Sequence, residues 1–302
     1  MLEEYTIDRQ LSLGGFSIVY LATDAEGKLV AIKEYLPNSL ALRGKGEIKP
    51  LITGDHLGAF RYGMKCFFEE GRALARLSHP NVIRVLNFFR ANDTVYMVME
   101  YEQGRTLQEF IQKHQGHISE RFIRGVFTRM LNGLREVHSH KLLHLDLKPS
   151  NVYLRSDNTP VLIDFGAARQ TLLSDQPMLK PMYTPGFASP EHYGSRVDLG
   201  PWSDIYSVGA SMYACLAGVA PQSADNRLKK DTLAPAMVRW DGQFSDRLLE
   251  IIDWCLNLNH LYRPQSVFAL QKALVETITP PSPKGNPNWL GRMVEKLRKP
   301  TK

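Results

Sequence analysis

Cysteine is scarce and unpaired in this chain. Only Cys66, Cys215 and Cys255 occur in 302 residues, without the close spacing that a zinc site or a redox Cys-x-x-Cys needs. They read as buried thiols in a reducing cytoplasm, which makes a cytoplasmic location the expectation. Long apolar runs are missing as well. The longest apolar-rich stretch, Ile205 to Ala220, has sixteen residues interrupted by Ser and Gly, shorter than a bilayer span and better suited to a buried helix. The opening Met1-Leu2-Glu3-Glu4-Tyr5 is acidic and lacks the apolar run of a signal peptide. Basic charge is nearly balanced outside one segment: of the net +6, residues 284–302 carry +5, leaving +1 for the rest. Nucleic acid is therefore not an expected partner. Several histidines are present, but no His/Cys/Asp/Glu group has zinc-like spacing. With 43% hydrophobic residues, the chain is long enough for two ordinary domains or one large bilobal one.

Against these absences stands one dense polar stretch, His144-Leu145-Asp146-Leu147-Lys148-Pro149-Ser150-Asn151, followed thirteen residues after the Asn by Asp164-Phe165-Gly166. Phosphoryl transfer needs such a set in this order. A carboxylate (Asp146) orients the attacking hydroxyl, while an amide oxygen (Asn151) and a second carboxylate (Asp164) hold Mg2+ on the nucleotide phosphates. A chance polar loop does not supply several fixed offsets and a second motif at the right distance.

From about Tyr5 to about Ile278 the sequence resembles the eukaryotic-like, or Hanks-type, protein kinase family, and its Glu-Tyr-Leu-Pro segment at Glu34–Pro37 looks like a bacterial branch of it. The resemblance implies an α+β bilobal protein-kinase fold, with a small antiparallel N-lobe sheet carrying one main helix and a larger, mainly helical C-lobe. The boundaries it implies are 1–102 for the N-lobe, with a long insertion at about 34–65, 103–279 for the C-lobe, and 280–302 for a Pro-rich linker and basic tail. The implied activity is transfer of the γ-phosphoryl group of ATP to a protein Ser or Thr, with Mg2+ as metal and Mn2+ as an alternative. A nucleotide-binding pseudokinase scaffold is the competing reading, and a small-molecule phosphotransferase of the same broad fold is a third.

The ATP clamp is read residue by residue. Leu11 to Tyr20 aligns with the glycine-rich loop, but Ser12 and Ser17 stand where the first and third glycines are expected, and only Gly14 matches. A Gly14-Gly15 hairpin turn explains the segment equally well on its own. The resemblance places Gly14, Gly15, Phe16 and Ser17 over the phosphates. Val30-Ala31-Ile32-Lys33 matches the strand whose lysine contacts the α and β phosphates. Phe67 to Leu77 reads as a helix with Phe67, Leu74 and Leu77 on one stripe, and Glu70 matches the acid that holds Lys33, with Glu69 as the neighbouring alternative. The thirty-six residues between Lys33 and Glu70 exceed the compact pattern, and a surface decoration is the favoured reading of the surplus. Val95 to Tyr101 implies the hinge, with Met99 as gatekeeper, backbone groups of Glu100 and Glu102 facing adenine, and Leu11, Val19, Ala31 and Leu154 around its faces.

In the C-terminal half, Ser119 to Ser139 shows helical periodicity at Phe122, Val126, Met130, Leu134 and Val137. The resemblance implies that Lys148 approaches the transferring phosphate, as in Ser/Thr kinases, and that Thr184 contacts Asp146 and Lys148. Asp204 ties down the catalytic-loop backbone, and Arg263 pairs with Glu191. His144 packs below Phe165, while His138 and His140 sit near a helix end and His79 caps a turn. Leu145 occupies the place where many family members carry an arginine that grips a phosphorylated activation loop, and residues 175–183 contain no Ser or Thr. Activity independent of activation-loop phosphorylation is expected, with Thr171 and Ser174 incidental. After the Pro-rich stretch 280–287, Asn288 reads as an N-cap, Trp289, Leu290, Met293, Val294 and Leu297 form a stripe, and Arg292, Lys296 and Lys299 lie beside it. Tail residues 288–299 are expected to dock back on the kinase domain, with a partner protein or an anionic membrane surface as the other outcomes.

Overall fold

The computed structural model describes residues 2–44, 46–165, 183–194 and 198–276. Its N-terminal part is a five-stranded antiparallel sheet in the order β1-β2-β3-β7-β6, formed by β1 (Thr6–Leu13), β2 (Ser17–Thr23), β3 (Leu29–Tyr35), β6 (Val85–Ala91) and β7 (Thr94–Glu100). The hairpin of β1 and β2 closes with the Gly14 N–H donating to the Ser17 carbonyl at 2.9 Å. Between β3 and β6 come a small ribbon, β4 (Ala41–Leu42) with β5 (Leu51–Ile52), and the helix α1 (Leu57–Leu74).

The C-terminal part is mainly helical. Its helices are α2 (Leu107–Lys113), α3 (Glu120–Ser139), α4 (Pro201–Ala217), α5 (Ala224–Lys229), α6 (Ala236–Arg239), α7 (Asp246–Cys255) and α8 (Val267–Val275). A second small sheet, β8 (Gly104–Thr106), β9 (Val152–Arg155) and β10 (Pro160–Leu162), carries the catalytic segment. Local sequence explains the helix starts. Thr106 and Glu109 form a reciprocal capping box on α2, and the Ser119 hydroxyl accepts from the Phe122 N–H at 3.3 Å on α3. After Asp204, helix α4 holds most of the segment without charge seen in the sequence. It is buried from Ser203 through Leu216 and stops at Gly218, whose φ of +76° is a left-handed cap. No described helix is long and apolar enough to cross a membrane.

The two parts are stitched by backbone. Ile83 N–H donates to the Leu162 carbonyl and Leu162 N–H to the Asn81 carbonyl, both at 2.9 Å, while the Asn81 side chain reaches the Pro160 carbonyl at 2.7 Å. This fixes the segment after α1 against β10, two residues before Asp164.

Two expectations change. The helix read from Phe67 to Leu77 begins ten residues earlier, at Leu57, and ends at Leu74, so residues 57–65 of the expected insertion are its first turns. Its buried stripe runs Phe60, Gly63, Phe67, Glu70, Leu74, and the glycines 58 and 63 mask it because glycine is a poor helix former. The start of the surplus is also not surface decoration, although residues 46–49 and 53–56 beyond it are exposed. Glu34 is 0% exposed and accepts hydrogen bonds from Tyr20 at 2.8 Å, Tyr96 at 2.6 Å and both terminal nitrogens of Arg43. Tyr35, Leu36 and Ala41 belong to the main core. A buried carboxylate requires this many donors, so the start of the insertion is part of the sheet's interior. Burial and the Glu34 carboxylate push the Tyr20 hydroxyl up to about 12.

Candidate active site

The loop between α3 and β9 has to hold a strained backbone. Leu145 adopts φ +60°, a region that L-residues enter at a penalty of about 1–2 kcal/mol. Three hydrogen bonds over-determine it. Asp204, fully buried at the start of α4, accepts from the His144 N–H at 2.9 Å and the Leu145 N–H at 2.8 Å. The Leu145 carbonyl accepts from His192 Nε2 at 3.0 Å. His138 Nε2 adds a bond at 2.7 Å to Asp204 Oδ2, the oxygen that also accepts the His144 N–H. Burial raises the Asp204 carboxyl, but the His138 bond, the nearby histidines and the backbone donors outweigh it and leave the group below its ordinary value. His144 packs on Phe165 with ring centroids 4.4 Å apart.

Held this way, the loop presents Asp146 to a closed polar network. Lys148 Nζ lies 2.7 Å from Asp146 Oδ2 and donates to Thr184 Oγ1 at 2.6 Å, while the Thr184 hydroxyl donates to Asp146 Oδ1 at 2.9 Å. Asn151 spends its amide nitrogen on the Asp146 carbonyl at 2.8 Å and on Oδ2 at 3.1 Å, which turns its amide oxygen the other way. Asp164, at φ +58°, accepts from Lys33 Nζ at 2.7 Å. The Lys33 charge beside it holds the Asp164 carboxyl well below the usual carboxylate range. An amide oxygen and an ionised carboxylate form a hard oxygen donor pair, the chemistry that Mg2+ prefers. Among the described residues no group of three or more His, Cys, Asp or Glu forms a separate metal cluster.

Lys33 is 7% exposed on β3, with its Nζ 5.7 Å from the Phe67 ring centroid. Glu70, one turn beyond Phe67 on the same stripe, is 2% exposed, whereas Glu69 lies partly in solvent and pairs with Arg72. Leu11, Phe16, Ser17, Val19, Ala31 and Met99 are half-buried around the cleft, and Gly14 and Gly15 are exposed at the hairpin turn. The Glu100 N–H is committed to the Arg84 carbonyl at 3.0 Å, which leaves its carbonyl as the group for a ligand. The Glu102 carboxylate is bound by Arg155, tying the hinge to β9.

Leu154 does not join this set. It is 0% exposed, because alternate residues of β9 face opposite sides and Leu154, like Val152, points into the core. The half-buried neighbour on the open face is Tyr153, whose hydroxyl is pushed up by burial and by the phenol and carboxylates of the hinge and α2. Counting two residues on from Asn151 along a strand would have found it. His138 and His192 were also hidden in the sequence, since nothing local signals that Asp204 and Leu145 arrive beside them.

Also at the start of α4, beside Trp202 and Ser203, Arg263 is 2% exposed and donates to Glu191 Oε1 at 2.8 Å and Oε2 at 3.1 Å. Its guanidinium, with the Ser189 and Ser203 contacts, outweighs the effect of burial and lowers the Glu191 carboxyl. The pair holds the segment after Thr184 against the helical core. Residues 166–182 and 277–302, which include Thr171, Ser174 and the tail stripe from Trp289 to Leu297, lie outside the described residues.

This arrangement has counterparts in known proteins. The serine/threonine-protein kinase Nek2 of Homo sapiens is 33% identical over 238 residues, covering 74% of this chain and 53% of the relative. The serine/threonine-protein kinase PLK4 of Nematostella vectensis is 28% identical over 238 residues, covering 77% of this chain and 22% of the relative. The chain thus spans about half, or less, of the length of these relatives. Among solved structures, the apo form of PpkA-294 superposes with a TM-score of 0.78 at 32% identity, over 90% of this chain and 96% of that one. The PknI kinase domain of Mycobacterium tuberculosis, a cysteine-to-alanine mutant, shares the fold at 19% identity with a TM-score of 0.67, over 91% of this chain and 96% of that one. A model of the protein kinase domain matches residues 5–275, and the chain belongs to the protein kinase family.

Proposed function

We propose that this domain transfers the γ-phosphoryl group of ATP to a Ser or Thr hydroxyl of a protein. The observation that carries the reading is the closed network in which Asp146, Lys148, Thr184 and Asn151 converge while Lys33 holds Asp164 at 2.7 Å. Asp146 accepts a hydrogen bond from the attacking hydroxyl and orients it, as it orients Thr184 Oγ1 here. Lys148, 2.7 Å from that carboxylate, supplies positive charge where the transferred group gains negative charge. Asn151 and Asp164 would hold Mg2+, or Mn2+ in its place, which neutralises the phosphate oxygens when bound. Lys33 binds the α and β phosphates from β3, with Glu70 as its support on α1. Gly14 to Ser17 cover the phosphates, Leu11, Val19 and Ala31 cover adenine from above, and Met99 closes the back. Glu100 and Glu102 offer backbone groups, and Tyr153 replaces Leu154 as the floor.

Activity does not require a phosphate on the activation loop. Leu145 offers no cation to such a group, and the catalytic loop is fixed instead by Asp204 and His192 through buried hydrogen bonds. Protein treated with phosphatase, repurified and supplied with Mg-ATP and a generic protein substrate is expected to keep its rate. A silenced enzyme that recovers only on modification of Thr171 or Ser174 would contradict this. Calorimetric titration of ATP tests the metal ligands: Asp164→Asn should weaken binding that depends on Mg2+ and leave metal-free binding unchanged.

A further inference from the structure

Beyond Lys33, β3 continues to Tyr35, which shares Lys33's face of the strand because alternate residues do. Tyr35 is 1% exposed and runs into α1, with ring centroids 5.2 Å from Phe60 and 5.8 Å from Phe67. Helix α1 makes room for it at Gly63. A Cβ added there would lie 1.8 Å from the Tyr35 hydroxyl oxygen and 2.6 Å from Cζ, so any larger residue collides. The tyrosine has little freedom to retreat. The Thr94 hydroxyl donates to its carbonyl, and the next residues pair with the phosphate-covering turn, Leu36 N–H to the Phe16 carbonyl at 2.9 Å and Asn38 N–H to the Gly15 carbonyl at 3.0 Å.

The same stripe of α1 carries Phe60, Gly63, Phe67 and Glu70. It therefore meets β3 at two rungs: Tyr35 in the Gly63 notch, and Lys33 against Phe67 one residue pair earlier on the strand. Gly63 and Glu70 are separated by about 10 Å of continuous helix, so seating the first sets the position of the second.

We propose that Tyr35 seated in the Gly63 notch is a built-in lock that holds α1 where Glu70 supports Lys33, so that the nucleotide site assembles without a partner or a phosphate acting on α1. Tyr35 and Gly63 are positioning residues, and the inference rests on the phosphotransferase reading above. The test is Gly63→Ala, Tyr35→Leu and the double variant, each assayed with Mg-ATP for kcat and for KM of ATP, together with amide hydrogen exchange over residues 60–72 of the nucleotide-free protein. Gly63→Ala is expected to lower kcat/KM by about ten- to a hundredfold, the effect of moving a catalytic support by about 1 Å. KM for ATP should rise, which a smaller folded fraction alone does not produce, and exchange in α1 should speed up. In the double variant the leucine vacates the notch, and most of the activity lost in Gly63→Ala should return. Gly63→Ala with wild-type kinetics and exchange, or a double variant no better than Gly63→Ala, would overturn the lock. Should Gly63→Ala fail to fold, Tyr35→Leu decides: faster α1 exchange with raised KM supports the lock, and wild-type values for both refute it. A wild-type protein that transfers no phosphoryl group would instead strike at the phosphotransferase reading, while the exchange measurement still reports on the lock.

Discussion

Replacing Arg43 by methionine examines whether the segment after β3 is structural or ornamental. Arg43 meets Glu34 with both terminal nitrogens, and the two side chains are 18% and 1% exposed. Losing one partner of a buried ion pair costs about 3–5 kcal/mol, because the remaining charge stays out of water, whereas an exposed pair is worth under about 1 kcal/mol. The partial exposure of Arg43 places the expectation near the lower bound, about 3 kcal/mol. For a domain of this size that corresponds to a fall of roughly 6–12 °C in melting temperature. Urea unfolding followed by tryptophan fluorescence measures it directly. Adding Glu34→Gln to Arg43→Met should recover about half of the loss, since the amide oxygen still accepts from one of the two tyrosines, which bond different oxygens of Glu34, and the amide nitrogen can donate to the hydroxyl oxygen of the other without burying a charge. An Arg43→Met protein within about 1 kcal/mol of wild type would return the segment to the surface-decoration reading.

Three further outcomes are expected. Burial lowers the His192 imidazole, partly offset by its bond to the Leu145 carbonyl; a depressed folded value means that its stabilising contribution is complete above the unfolded value of about 6.5 and is lost as pH falls. The melting temperature should thus drop less between pH 7.5 and 5.5 in His192→Gln than in wild type, and equal slopes would reject this. Tyr153→Ala should raise the KM for ATP with little change in stability, whereas Leu154→Ala should lower stability by about 2–5 kcal/mol and leave KM alone; the reverse pattern would restore Leu154 to the adenine pocket. Arg263→Ala should be strongly destabilising, since it strands the buried Glu191 carboxylate and the carbonyls of Asn257, Trp202 and Leu258, and a denaturation midpoint close to wild type would show that the pair is dispensable.

The chemistry of the site was legible because it is written locally. Asp146, Lys148 and Asn151 fall within six residues of one another, and the Asp164 motif follows at a fixed distance, so side chains that meet in space are near in sequence. The two anchors that join distant segments, Asp204 under the catalytic loop and Arg263 on Glu191, were legible only through the family resemblance. What escaped was decided by packing. The first turns of α1 were hidden by Gly58 and Gly63, yet the second of these glycines is there to admit Tyr35. Glu34 read as a surface acid because its donors, Tyr20, Tyr96 and Arg43, come from three separate segments. Leu154 was read toward the cleft, although it is buried, because the face that a strand presents depends on register, and a shift of one residue reverses it.

The central claim, that Asp146 orients a hydroxyl for phosphoryl transfer, is tested most directly by mass-spectrometric detection of phosphoserine and phosphothreonine after incubation of wild-type and Asp146→Asn protein with Mg-ATP and a generic protein substrate. Wild type is expected to label serine or threonine. The variant should bind ATP with nearly unchanged affinity and transfer at a rate lower by at least about a hundredfold, the range for removal of a positioned proton acceptor. An Asp146→Asn protein that labels the substrate at the wild-type rate would contradict the account.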